Sequence, residues 1–212
     1  MTEIPDKTGT RSLGPTVDQL NASVAETRIQ GLDALLAAAK GDRMPPVDQW
    51  NPPYCGDIGM AIRADGVWTY QGSPIGRIAM VKLFARILRK DADGRTFLVT
   101  PVEKVDVAVA DAHFLAVEMQ VDTPADDAGA GPVIVLRTNV DDLVRVGAEH
   151  PLRFVREAAT DGVKPYVLVR GRLEALVTRA VMYDLVALVE PVMIDGHEVL
   201  AVRSAGELYP IA

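Results

Sequence analysis

The chain has 212 residues, enough for one large domain or two small ones, and its 49% hydrophobic and 24% charged residues suit a soluble globular core. A net charge of −7 argues against non-specific nucleic-acid binding, which rests on lysine and arginine neutralising phosphates, and leaves room only for a local basic patch. The single cysteine, Cys55, excludes an intrachain disulfide framework and a cysteine-rich zinc site, and it fits a cytoplasmic location. Neither a signal peptide nor a membrane span is expected, because no apolar run approaches the roughly 20 residues a span needs.

Residues 1–15 are polar and contain Pro5, Gly9, Gly14 and Pro15, which predicts a flexible tail. Thr16 followed by Gln19 resembles a capping box, and Val17, Leu20, Val24, Ile29, Leu32 and Leu36 supply an apolar stripe, so an N-terminal helix is expected up to Gly41. Pro45, Pro46, Pro52 and Pro53, with Trp50 among them, predict an extended connector. Alternation at Ile58, Met60 and Ile62 predicts a strand. Asp65-Gly66 then signals a hairpin, with Val67 to Tyr70 returning. A helix is expected from about Arg77 to Lys90, with Lys82, Arg86 and Arg89 forming one basic stripe.

Strands are expected near 95–100, 104–109 and 113–120. Residues 122–132 predict a mobile loop dividing an N-terminal half, 16–121, from a C-terminal half, 133–212. The second half offers strands near 133–138, 143–146, 152–156 and 166–170. A helix over about Arg179 to Glu190 and strands over 197–203 and 207–211 complete it. That helix carries Asp184 as the one charge in its body, and a helix apolar nearly all round is expected to be buried.

Residues 77–102 and 179–204 align without a gap. Arg77 meets Arg179, Met80 meets Met182, Leu83 meets Leu185 and Ala85 meets Ala187; Asp93-Gly94 meets Asp195-Gly196 and Leu98 meets Leu200. Each copy reads as helix, Asp-Gly turn, strand. The expected fold is therefore α+β with two similar halves, each a curved antiparallel sheet packed around one helix, plus the N-terminal helix.

Candidate chemistry is sparse. Cys55 could act as a nucleophile only if a histidine and an orienting acid meet it in the fold, and its default role is that of a small buried hydrophobe. His113, His150 and His197 lie too far apart to make a metal signature, so no metal is expected. No phosphate loop or other cofactor motif is present. Arg77 and Arg179 each open a helix, where the dipole disfavours a cation. They should face an internal carboxylate such as Glu103 or Asp111, or else an anionic ligand. Trp68 and Tyr70 alternate on one hairpin face, as core or as a pocket wall.

Several blocks carry a family resemblance. Pro-Tyr-Cys-Gly-Asp-Ile-Gly-Met at 53–60, Asp-Gly-x-Trp at 65–68 and Ser-Pro-Ile-x-Arg at 73–77 come first. Leu-Val-Thr-Pro-Val-Glu-Lys at 98–104, Glu-His-Pro-Leu at 149–152 and Arg-Leu-x-Ala-Leu at 172–176 follow. Over residues 45–190 the chain resembles the bacterial family named domain of unknown function 1285. The resemblance implies a two-domain, mixed α+β architecture with a motif repeated in each half, and a signalling or ligand-binding role without agreed catalytic residues.

The expectation is a non-enzymatic, cytoplasmic ligand-binding or signalling module with a polar site between its halves. Arg77, Glu103, Lys104, His150, Arg172 and Arg179 would line that site, with Trp68 and Tyr183 as walls. Its partner would be a small anionic ligand or a signalling protein, with no role for nucleic acid or cofactor. The alternative is an enzyme using Cys55 or Glu103 in an inter-domain cleft. Membrane contact through Lys82, Arg86 and Arg89 is disfavoured by the net charge. Oligomeric state stays open.

Overall fold

β-Structure dominates the chain. The structure, a computed structural model, describes residues 44–123, 131–157 and 162–211. All of them belong to one unit, Leu35–Ala212. The expected N-terminal tail and helix fall outside the described residues, as does most of the expected loop at 122–132.

A 3-10 turn, Val47–Gln49, precedes the first sheet. That sheet holds two three-stranded meanders. The first is β1 (Tyr54–Ile62), β2 (Trp68–Tyr70) and β3 (Ser73–Pro74); the second is β4 (Leu88–Lys90), β5 (Thr96–Val99) and β6 (Lys104–Val109). Helix α1 (Ile78–Arg86) joins them. Strand order is β3-β2-β1-β6-β5-β4, so the first and last strands meet in the middle. They run parallel, with Ala61 opposite Ala108 and Ile62 opposite Val109. The expectation of a wholly antiparallel sheet is corrected at that central pair. The long crossover a parallel pair requires is supplied by everything between β1 and β6, including α1.

The second sheet repeats this order without a helix inside it. It contains β7 (Phe114–Asp122), β8 (Val133–Thr138), β9 (Leu143–Arg145), β10 (Leu152–Glu157), β11 (Gly162–Arg170) and β12 (Leu173–Val177). Strands β7 and β12 form its central parallel pair. Residues 123–132 connect β7 to β8, which are neighbours in this sheet, and the chain leaves the first sheet through 110–113.

Helix α2 (Arg179–Val186) then leads to a three-stranded sheet of β13 (Val189–Ile194), β14 (His197–Ser204) and β15 (Glu207–Pro210). The aligned sequence repeat is thus a structural one: α1-β4-β5 corresponds to α2-β13-β14. Gly94 and Gly196 occupy matching turns at φ +87° and +80°, where a residue without Cβ is favoured. Beyond the aligned residues, β15 lies near β10, although the two belong to different sheets, whereas β6 is hydrogen-bonded to β1.

Two helix expectations need correction. The first helix stops at Arg86 rather than Lys90, because Leu88 and Arg89 pair with Leu98 and Phe97 in the sheet. Arg89 is therefore a strand residue, and the stripe of Lys82, Arg86 and Arg89 does not exist as one helical face. The second helix is not buried. Only Val181 and Leu185 face inward, whereas Tyr183 is 66% exposed and Val186 51% exposed. By contrast, α1 sets Val81, Phe84 and Ala85 into the first core, where Phe84 stacks on Trp68 with ring centroids 6.3 Å apart.

Candidate functional site

The two six-stranded sheets meet through a few polar contacts. The buried imidazole of His113 accepts the main-chain N–H of Glu174 at Nδ1, 3.2 Å away. That leaves Nε2 as the protonated nitrogen, 3.1 Å from the Thr96 hydroxyl in β5. Burial first, then the positive charges of Lys90 and Arg170, push this histidine down to about 4, so it is neutral at physiological pH. Below it, Asp111 accepts hydrogen bonds from Tyr166 at 2.7 Å and Lys164 at 3.0 Å. Burial alone would raise Asp111, and these two donors overcome it to hold the carboxyl below its usual range.

The cations near His113 belong to a larger group. Strand β4 begins two residues after α1 ends, which places Arg86, Arg89 and Lys90 together at one edge. In the second sheet, β11 turns into β12 at Arg170-Gly171-Arg172, with Gly171 at φ +52°. The turn and the edge face each other, and the segment from Met44 to Asp48 covers a third side. Together they enclose a pocket of about 100 Å³ lined by Arg86, Arg89, Lys90, Arg170 and Arg172, with Asp48 as its one carboxylate. A wider basin of about 410 Å³ shares Asp48, Arg89, Lys90 and Arg172 with it and extends to Trp50, Asn51 and Asp91.

Two of these cations are structural. Arg89 donates to the carbonyl oxygens of Val47 at 2.8 Å and Trp50 at 2.7 Å, and to Asp91 at 2.6 Å. It thereby ties the proline-rich connector to β4. Burial tends to raise Asp91, but the hydrogen bonds from Arg89 and Lys104 hold it low. Arg170 pairs with Asp142, donates to the Ala85 carbonyl at 2.7 Å, and lies 5.0 Å from the Phe114 ring centroid. Lys90 and Arg172 make no side-chain hydrogen bond or ion pair among the described residues. Like charges gathered near a protein surface repel by a few kcal/mol per close pair, roughly. Asp91 and Asp142 offset Arg89 and Arg170, and no carboxylate forms an ion pair with Lys90 or Arg172 among the described residues.

Of the residues expected from sequence, Arg172 lines this pocket and the others are dispersed. Trp68 is 1% exposed and belongs to the core beneath Phe84. Arg77 is exposed at the start of α1, and Arg179 at the start of α2 bonds the exposed Tyr183 hydroxyl. Neither arginine pairs with Glu103 or Asp111. Glu103 sits in the β5–β6 turn, where burial pushes its carboxyl up. Lys104 pairs with Asp91 at 3.0 Å and lies 4.4 Å from the Phe97 ring centroid. His150 turns Nδ1 to the Leu168 carbonyl at 3.0 Å.

Cys55 is exposed, a correction to the buried default, and its thiol faces the Pro53 carbonyl at 3.6 Å. The entry to β1 leaves it at the rim instead of the core. No histidine bonds it among the described residues. The described residues hold no group of three or more metal-capable side chains and no helix long and apolar enough to cross a membrane, which leaves β-barrels aside.

Sequence reasoning singled out Lys82, Arg86 and Arg89 as one face and missed Lys90 and Arg170. Lys82 instead pairs with Asp141 of the second half. The one available signal was the pair of short basic runs, Arg-Lys at 89–90 and Arg-Gly-Arg at 170–172, each beside an apolar strand.

Comparison with known proteins agrees with this architecture. The family model described as domain of unknown function (DUF1285), N-terminal domain, matches residues 45–112, and the one described as protein of unknown function (DUF1285), C-terminal domain, matches residues 113–211. The models meet at His113, the residue that bridges the sheets. A crystal structure of a DUF1285 family protein from Silicibacter pomeroyi DSS-3 is 42% identical with a TM-score of 0.75, covering 85% of this chain and 94% of that one. A second, from Shewanella baltica OS155, is 28% identical with a TM-score of 0.47 over 61% of this chain and 91% of that one. No curated protein matches.

Proposed function

The chain belongs to the DUF1285 family, and from the geometry of its inter-sheet pocket we propose that it is a binding module for a small anion. The observation that carries this reading is that Lys90 and Arg172, which make no side-chain hydrogen bond or ion pair among the described residues, line one pocket with three further arginines in a chain whose net charge is −7. Lys90 and Arg172 are the contacting groups, because their donors are uncommitted. Arg89 and Arg170 add field and hold the walls in place. A partly enclosed pocket strengthens each such contact by excluding water.

A signalling role follows naturally. The pocket is built from both sheets, so an anion there adds contacts across the junction and stabilises one arrangement of the halves. A cytoplasmic location and the absence of catalysis are parts of the same proposal. Thermal unfolding with inorganic phosphate and pyrophosphate, against chloride at equal ionic strength, tests it. The expected result is a midpoint that rises with pyrophosphate concentration and a smaller rise in the Arg172→Gln protein. Equal midpoints in pyrophosphate and chloride would discard the reading.

A further inference from the structure

We infer that the anion is the phosphate of a mononucleotide, a step that rests on the anion-site reading above. The pocket and its basin adjoin and share Asp48, Arg89, Lys90 and Arg172. The smaller pocket is cationic, about 100 Å³, and suits a phosphate group rather than a whole metabolite. The basin beside it, about 410 Å³, falls within the roughly 300–1,000 Å³ of small-molecule sites. Asp48 lines both and makes no hydrogen bond or ion pair among the described residues, so its carboxylate is free to act as an acceptor. The basin adds the half-buried Trp50 and the Asn51 amide.

Cations, a carboxylate, an aromatic ring and an amide on one surface match what a phosphate, a ribose and a base require. Lys90 and Arg172 take the phosphate oxygens. Asp48 accepts from a ribose hydroxyl, as acidic side chains do in nucleotide sites of other architectures. Trp50 offers its face to the base, and Asn51 carries a donor and an acceptor for a base edge. A bare sugar phosphate or a small carboxylate would leave the aromatic end unused. The connector is held for this task, since the Arg89 guanidinium binds the Trp50 carbonyl at 2.7 Å and fixes the backbone beneath the ring.

The two tryptophans make the test direct. Trp68 is 1% exposed in the core, so ligand-dependent emission reports on Trp50. The full chain is titrated with adenosine, guanosine, cytidine and uridine 5′-monophosphates and with ribose 5-phosphate, by fluorescence and by calorimetry. At least one nucleotide should change Trp50 emission saturably and bind about tenfold or more tighter than ribose 5-phosphate, the scale of one base–aromatic stack. Trp50→Leu should erase that advantage and leave ribose 5-phosphate affinity unchanged, which also shows that the variant is folded. Equal affinities for nucleotides and ribose 5-phosphate, unaltered in Trp50→Leu, would overturn the nucleotide assignment while leaving the anion site standing. Failure of every phosphate compound, pyrophosphate included, would overturn both.

Discussion

Arg170 donates a hydrogen bond to the main-chain carbonyl oxygen of Ala85 at 2.7 Å, across 85 residues of sequence. The carbonyl belongs to the last turn of α1, where helix carbonyls lack intrahelical partners and a cation is favoured by the dipole. One side chain of the second sheet therefore finishes a helix of the first, and its other nitrogen pairs with Asp142. Arg170→Met should remove both contacts and leave a half-buried carboxylate behind. The expected cost is about 2 kcal/mol, read as a lower urea midpoint at unchanged slope, discounted for partial exposure. Arg170→Lys should recover only part, since an ammonium does not span both acceptors as a planar fork does.

Gly66 makes a second joint between the sheets. It has φ +77°, and a Cβ there would lie 2.8 Å from Leu115 Cδ1 and 3.2 Å from Asn139 Nδ2. Gly66→Ala should thus combine left-handed strain with a clash that Leu115 must yield to, costing roughly 1–2 kcal/mol. Gly72 has φ +79° with open space around it, so Gly72→Ala should cost less than Gly66→Ala. Equal losses in thermal unfolding would mean that the contact with Leu115 is unimportant.

Much of this architecture was legible in the residues. Strands β6 and β8 match the alternation over 104–109 and 133–138, because half-buried strands advertise their period. The repeat also survives as α1-β4-β5 and α2-β13-β14. What could not be read is pairing: nothing local to Ile62 or Val109 says that they lie side by side and parallel. The pocket was hidden for the same reason. Lys90 and Arg172 are 82 positions apart in the chain, and only the strand order of two sheets brings their segments together. Helix composition misled in the opposite sense, since the apolar surface of α2 remains in solvent.

That exposed face gives a third expectation. Leu185 is 1% exposed and Tyr183 66% exposed on the same helix. Leu185→Ala should cost on the order of 2–5 kcal/mol, whereas Tyr183→Ser should stay within about 0.5 kcal/mol. Chemical denaturation of both variants decides it. Comparable losses would mean that α2 is packed all round, as its composition suggests.

His113 supplies a dependence on pH. Its pKa falls from an ordinary 6.5 to about 4 in the folded protein, so between those values the unfolded chain binds the extra proton. Stability is complete above about pH 6.5 and declines as the pH falls toward 4, by about 3 kcal/mol over the interval. Carboxylates titrate near the lower end, so the slope between pH 6.5 and 5 is the diagnostic part. His113→Gln should be less stable at neutral pH and flatter across that range. A wild-type stability that does not change between pH 6.5 and 5 would contradict neutral burial of this imidazole.

Calorimetric titration of pyrophosphate into the wild-type chain and into the Lys90→Gln/Arg172→Gln protein tests the anion pocket most directly. Removing two surface cations should leave the fold intact, because neither side chain makes a hydrogen bond or ion pair among the described residues. Saturable one-site binding to the wild type is expected, weakened by added salt, with at least tenfold weaker binding to the double variant. Identical isotherms for the two proteins, or no binding to the wild type at low salt, would contradict the anion-site reading.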